Sequence, residues 1–121
     1  MVNFLIIDDH AGLREMIRDL IGGDSANIRE CSSGEEAIEA CKHYMPDCIT
    51  VDLRMSGMDG LTCIHYLRFL HPAAHIAVVT QFDNDALRAR ARLVGADTYI
   101  IKDDLHALQR YFKMLSTQLG E

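Results

Sequence analysis

Five short runs rich in β-branched and apolar residues, near Phe4 to Ile7, Ala26 to Cys31, Cys48 to Val51, Ile76 to Val79 and Thr98 to Ile101, alternate with segments of helical periodicity. A strand followed by a helix, repeated five times, leaves few folds open. The first, third and fourth runs are continuously apolar, as a strand reads when crossover helices cover both of its faces. The pattern therefore predicts an α/β domain with a parallel sheet between two layers of helices.

The helices announce their buried faces by spacing. Leu13, Met16, Ile17 and Leu20 form one stripe, and Leu105, Leu108, Phe112, Leu115 and Leu119 another, so both sets are expected in the core. Ser33 with Glu36 reads as a capping box ahead of Ala37, Ile38 and Cys41, and Gly95 after Val94 as a helix stop. The third helix is expected to start near Gly60, run through Leu61, Ile64, Leu67 and Leu70, and end before Pro72, which cannot continue it. Asp52 to Gly60 is its lead-in loop.

With 121 residues the chain is expected to form one domain, and its apolar runs of about four residues are far short of the roughly 20 a membrane helix needs. A cytoplasmic protein with no membrane association is the expectation. Cys31, Cys41, Cys48 and Cys63 fall inside apolar patterns with no C-x-x-C pair, which favours buried reduced thiols over a disulfide or zinc framework. A net charge of −6 argues against direct binding of nucleic acid, whose phosphates demand Lys and Arg.

The chemistry sits where the strands stop. Asp8-Asp9, Asp52, Thr80 and Lys102 each follow or close an apolar run, and open parallel sheets bind ligands beyond the carboxyl ends of their strands. Three carboxylates drawn together are unfavourable unless a proton or cation relieves them. An all-oxygen donor set suits Mg²⁺, with Mn²⁺ as its substitute, and such a cation beside a carboxylate nucleophile, an ammonium and a hydroxyl is the equipment of phosphoryl transfer. Taken singly, Asp52 reads as a cap or loop residue, Thr80 as a strand-edge residue and Lys102 as a solvated lysine. Their joint placement reverses those readings. His10 is expected in the loop or first turn, and His43, His65, His71, His75 and His106 show no ligand spacing.

Asp8-Asp9, DLRMSGMDG from Asp52, Thr80 and GADTYIIKD from Gly95 together resemble the receiver domain of bacterial two-component response regulators over almost the whole chain. The resemblance is strongest to receivers that precede LuxR-type helix-turn-helix domains. It implies a flavodoxin-like, doubly wound (βα)5 sheet of strand order 2-1-3-4-5, one receiver domain over residues 1–121 and no output domain within the chain. Asp52 would be the phosphoacceptor, with Asp8, Asp9, Asp52 and the backbone carbonyl of Arg54 as metal ligands. Thr80 and Lys102 would contact the phosphoryl oxygens, and Thr80 with Tyr99 would form the switch.

The same resemblance implies the partners. A sensor histidine kinase or histidine phosphotransfer protein would supply the phosphoryl group. The face of the fourth helix, fifth strand and fifth helix, with Arg88, Arg92 and Tyr99, would address an output protein, an attached DNA-binding domain or a second copy in a phosphorylation-dependent homodimer. Asp83 and Asp85 are expected to precede Arg88, Arg90 and Arg92 within one helix, in an order that complements its dipole and usually marks a solvated face. The domain would form and hydrolyse its own acyl phosphate without turning over a separate metabolite, so it is not classed as an enzyme.

Several residues depart from the family pattern. Ser56 and Asp103 stand where proline is usual, Gln81 where a small residue is usual, and Arg54 and Phe82 at positions that tune phosphoryl loss, with Phe82 expected to shield the acyl phosphate. These changes keep in view an atypical receiver that signals by contact without phosphorylation. A haloacid dehalogenase-type phosphatase would need an Asp where Arg54 stands, and a flavodoxin-like flavin module a Ser/Thr/Gly-rich loop where the chain has DDHAGLRE.

Overall fold

A computed structural model describes residues 2–22 and 26–119. Its elements alternate as β1 (Val2–Ile7), α1 (Ala11–Ile21), β2 (Ala26–Cys31), α2 (Gly34–Ala40), β3 (Cys48–Val51), α3 (Gly60–Leu70), β4 (His75–Thr80), α4 (Asp85–Val94), β5 (Thr98–Ile101), a 3-10 turn (Lys102–Asp104) and α5 (Leu105–Gln118). All strands are parallel, in the order β2-β1-β3-β4-β5. The chain reverses its direction of winding between β1 and β3, which opens a crevice at their carboxyl ends.

Alternation along each strand divides the core. Leu5, Ile7, Ile49, Val51, Ile76 and Val78 meet α2, α3 and α4 on one side, while Phe4, Ile6, Cys48, Ala77, Val79 and Ile100 meet α1 and α5 on the other. Phe4 meets Phe112 edge to face at 5.1 Å between ring centres. The central strands are buried except for half-buried Asn3 and His75, and the edge strands β2 and β5 only in part, as their sequences predict.

Helix starts are capped by side chains. His10 Nδ1 accepts from Leu13 N, Ser33 from Glu36 N, Asp59 from Thr62 N, Asn84 from Leu87 N and Asp104 from Ala107 N. The box at Ser33 is not reciprocal, because the Glu36 carboxylate accepts from the amide and hydroxyl of Ser32. Asp83 lies before α4 rather than within it.

Two expected core residues are not in the core. Met16 is 52% exposed and Leu119 41%. Met16 sits at the rim of the Leu13–Ile17 stripe, beside Leu105 and His106 at the start of α5, and Leu119 is the C-cap of α5, past the helix body.

Candidate functional site

Strand register places the site. Ile7 pairs with Val51, so Asp8 and Asp52 leave the sheet side by side, the Asp52 amide donating to Ile7 O at 3.1 Å and the Asp8 amide to Cys31 O at 3.1 Å. Asp8 and Asp52 are buried and Asp9 is exposed, yet carboxylate oxygens of the three lie within 4.8 Å of one another. Thr80 pairs with Ile101, which delivers Lys102 to the same edge.

Lys102 bridges the buried pair, its Nζ 3.2 Å from Asp8 Oδ2 and 3.3 Å from Asp52 Oδ2. Every polar group of Asp8 is thereby engaged: the carbonyl accepts from Arg14 Nη1 at 2.5 Å and Oδ1 from the His10 amide at 2.8 Å. Burial, and then the charge of Asp8, raise the Asp52 carboxyl above its ordinary range, with Lys102 opposing. Among the described residues no peptide bond is cis, so Lys102–Asp103 is trans.

The β3–α3 loop closes one side. The Arg54 amide approaches Asp52 Oδ1 at 3.5 Å, and the Ser56 amide donates to Asp9 Oδ2 at 3.4 Å. Gly57 turns the loop at φ 79°, and both oxygens of Glu35 accept from the Met58 amide at 3.3 Å. A Cβ at Gly60 would overlap the Asp52 carbonyl oxygen and the Leu53 backbone, so only glycine lets α3 start this near the site. Arg54, Asp9, Ser56 and Asp59 line an open hollow of about 450 Å³.

The opposite side belongs to the β4–α4 loop. Thr80 is wholly buried, its hydroxyl accepting from the Phe82 amide at 3.4 Å, while Gln81 is exposed. The Tyr99 hydroxyl donates to Phe82 O at 2.6 Å, and burial raises its pKa. The Arg88 guanidinium lies 4.6 Å from the Tyr99 ring centre and pairs with Asp83 at 3.0 Å. Arg88, Arg92 and Tyr99 line one groove of about 210 Å³, and Arg54 stacks on Phe82 at 4.8 Å.

All candidate residues thus gather around one edge or the adjoining α4–β5 groove. The four thiols lie elsewhere, free and buried, with burial pushing Cys41 up to about 11, Cys31 and Cys63 to about 12, and Cys48 further. They are inert in this state. Glu35, Arg14 and Glu30 join the site without a sequence signal. Asp59 could have been found as an Asp directly before a helix.

The family model for the response regulator receiver domain matches residues 4–113. The chain belongs to that family. This receiver is 39% identical over 103 residues to the nitrate/nitrite response regulator NarL of Escherichia coli, covering 82% of this chain and 47% of that protein. It is 33% identical over 99 residues to the chemotaxis protein CheY of Thermotoga maritima, covering 81% and 82%. The receiver therefore spans about half the length of NarL and most of CheY.

Two solved structures bear on it. A two-component response regulator from Clostridium difficile superposes over the full length of both chains with TM-score 0.91 at 23% identity, a likeness of fold. A response regulator from Burkholderia pseudomallei, with a phosphorylated aspartic acid and a calcium ion, is 28% identical with TM-score 0.79, covering 98% of this chain and 72% of that one. Receiver domains bind divalent metal at an acidic pocket, and the donor set here fits: oxygens only, three carboxylates, one open to solvent. Among the described residues no helix is long and apolar enough to cross a membrane.

Proposed function

We propose that this receiver is a phosphorylation switch of a cytoplasmic two-component system, with Asp52 as phosphoacceptor. The observation that carries this is the carboxylate cluster at the β1/β3 crevice with the Lys102 ammonium laid across Asp8 and Asp52. Asp8, Asp9, Asp52 and the Arg54 carbonyl would hold Mg²⁺, or Mn²⁺ in its place, which when bound supplies positive charge to the phosphoryl oxygens and to the attacking carboxylate.

An oxygen of Asp52 attacks phosphorus as the bond to the imidazole nitrogen of a histidine kinase or histidine phosphotransfer protein breaks, leaving the electron pair on the nitrogen. Lys102 is already paired with Asp52, and it would turn its ammonium to the transferred oxygens as the Asp52 charge is spread onto them. The Thr80 hydroxyl, donating to no protein oxygen among the described hydrogen bonds, is free to donate to the phosphoryl group. Water later attacks the acyl phosphate and releases inorganic phosphate.

Thr80 and Tyr99 meet through Phe82, whose amide and carbonyl they engage in turn. Drawing Thr80 toward a phosphoryl group loosens the Phe82 amide and with it the loop that anchors Tyr99, which biases the α4–β5–α5 face bearing Arg88 and Arg92. That face would address an output protein, a second copy, or a DNA-binding domain of the LuxR type beyond this one-domain unit.

The deciding experiment is incubation with Mg²⁺ and a small phosphodonor, followed by assay for an acid-stable, base-labile phosphoryl group. Label that is lost in Asp52→Ala is the expected result. No label, or equal label in the variant, overturns the reading and leaves a receiver that signals by contact alone.

A further inference from the structure

We propose that Arg14 is a positioning residue for the metal-binding end of the site, fixing the Asp8–Asp9 peptide through the Asp8 carbonyl, with Glu30 fixing Arg14. The proposal rests on the reading above in taking the acidic cluster to hold a divalent cation. β1 ends at Ile7, so the Asp8 carbonyl has no neighbouring strand to donate to it. Arg14 Nη1 donates to it instead, at 2.5 Å, from a side chain only 17% exposed.

The guanidinium is itself held. Its Nε donates to Glu30 Oε1 at 3.1 Å, and the second oxygen of Glu30 accepts from Arg18 Nε at 2.9 Å. Because the guanidinium is a rigid plane, tying Nε to the end of β2 aims Nη1 at the loop. The Asp8 carbonyl and the Asp9 amide share one peptide plane. Holding that oxygen sets the direction in which the Asp9 side chain departs, and among the described residues the exposed Asp9 carboxylate has only the Ser56 amide as a further hydrogen-bond partner.

Charge and geometry predict opposite outcomes, which makes the idea testable. Removing a cation near an anionic metal site strengthens metal binding by charge alone, whereas removing a positioning residue weakens it. Arg14→Lys keeps the charge and loses the fork. Mn²⁺ titration followed by electron paramagnetic resonance should show affinity about tenfold weaker in both Arg14→Ala and Arg14→Lys, the usual scale for partners that orient ligands. The Mg²⁺ concentration for half-maximal labelling by a small phosphodonor should rise in step, with the rate at saturating Mg²⁺ close to that of the parent.

Glu30→Gln should weaken Mn²⁺ less, and should add nothing on an Arg14→Ala background, because it acts through Arg14. It also carries the comparison should Arg14→Ala fail to fold. Tighter binding in Arg14→Ala with unchanged binding in Arg14→Lys would overturn the proposal in favour of a charge effect. A parent that binds Mn²⁺ and takes label while all three variants match it overturns the proposal alone. A parent that does neither overturns the phosphoacceptor reading.

Discussion

Lys102 Nζ lies 3.2 Å from Asp8 Oδ2 and so places an internal cation on a carboxylate that the proposed function assigns to the metal. On that assignment metal and lysine compete for the same carboxylates. Lys102→Gln should therefore raise Mn²⁺ affinity severalfold, while leaving two buried carboxylates unpaired and lowering metal-free stability by about 2 kcal/mol, less than for a fully buried pair because Lys102 is partly exposed. Metal titration and urea unfolding in chelator check both signs; unchanged affinity would show that Lys102 does not compete.

Asp52 makes stability depend on pH in a stated direction. Its folded pKa is raised, so between the ordinary value of 3.8 and that raised value the folded chain holds more protons than the unfolded one. Stability from this group is complete below that window and declines as pH rises through it. Asp52→Asn should then melt higher than the parent at neutral pH in chelator, by roughly 4 °C for each 1 kcal/mol recovered. The advantage should vanish in acid, and thermal scans at both pH values decide it.

Tyr99 is tied to the loop it is proposed to sense. Tyr99→Phe removes the donor to Phe82 O, a bond of 2.6 Å, and should cost about 1 kcal/mol in the unphosphorylated protein. Amide exchange should quicken at Phe82 and Asp83 first, with β1 and β3 unaffected. If protection there stayed the same, the hydroxyl would not be what holds the β4–α4 loop.

Gly60 offers a test of how closely α3 must approach Asp52. A methyl there meets backbone atoms of Asp52 and Leu53 rather than a side chain that could turn away. Gly60→Ala should destabilise by about 3 kcal/mol and reduce phosphoryl labelling, whereas alanine at Gly12, whose near neighbour is the His10 ring, should do neither.

The strand ends were legible because buried parallel strands write themselves as apolar runs, and a polar residue at the end of such a run has one place to go. Asp8, Asp9, Asp52, Thr80 and Lys102 all follow from that. Met16 and Leu119 were misplaced because helical spacing marks a stripe but not where its rim or the covered sheet ends. Arg14, Glu30 and Glu35 left no pattern at all. Their roles come from contacts between residues 16 positions apart in Arg14–Glu30 and 23 apart in Met58–Glu35, which only the folded chain brings together, α1 against β2 and α2 against the β3–α3 loop.

Ser56 turns a departure from the family pattern into a measurable difference. Its amide donates to Asp9 Oδ2 at 3.4 Å, a bond that proline, lacking an N–H, cannot make. The donor is backbone, so Ser56→Ala keeps it and Ser56→Pro removes it. Ser56→Pro should weaken Mn²⁺ binding by about threefold, or about 0.6 kcal/mol, the scale of one exposed hydrogen bond, because the Asp9 carboxylate loses the one hydrogen bond it accepts among the described residues. Ser56→Ala should match the parent. Equal loss in both variants would assign the effect to the hydroxyl, and no loss in Ser56→Pro would mean that the Asp8–Asp9 peptide alone sets the direction of Asp9.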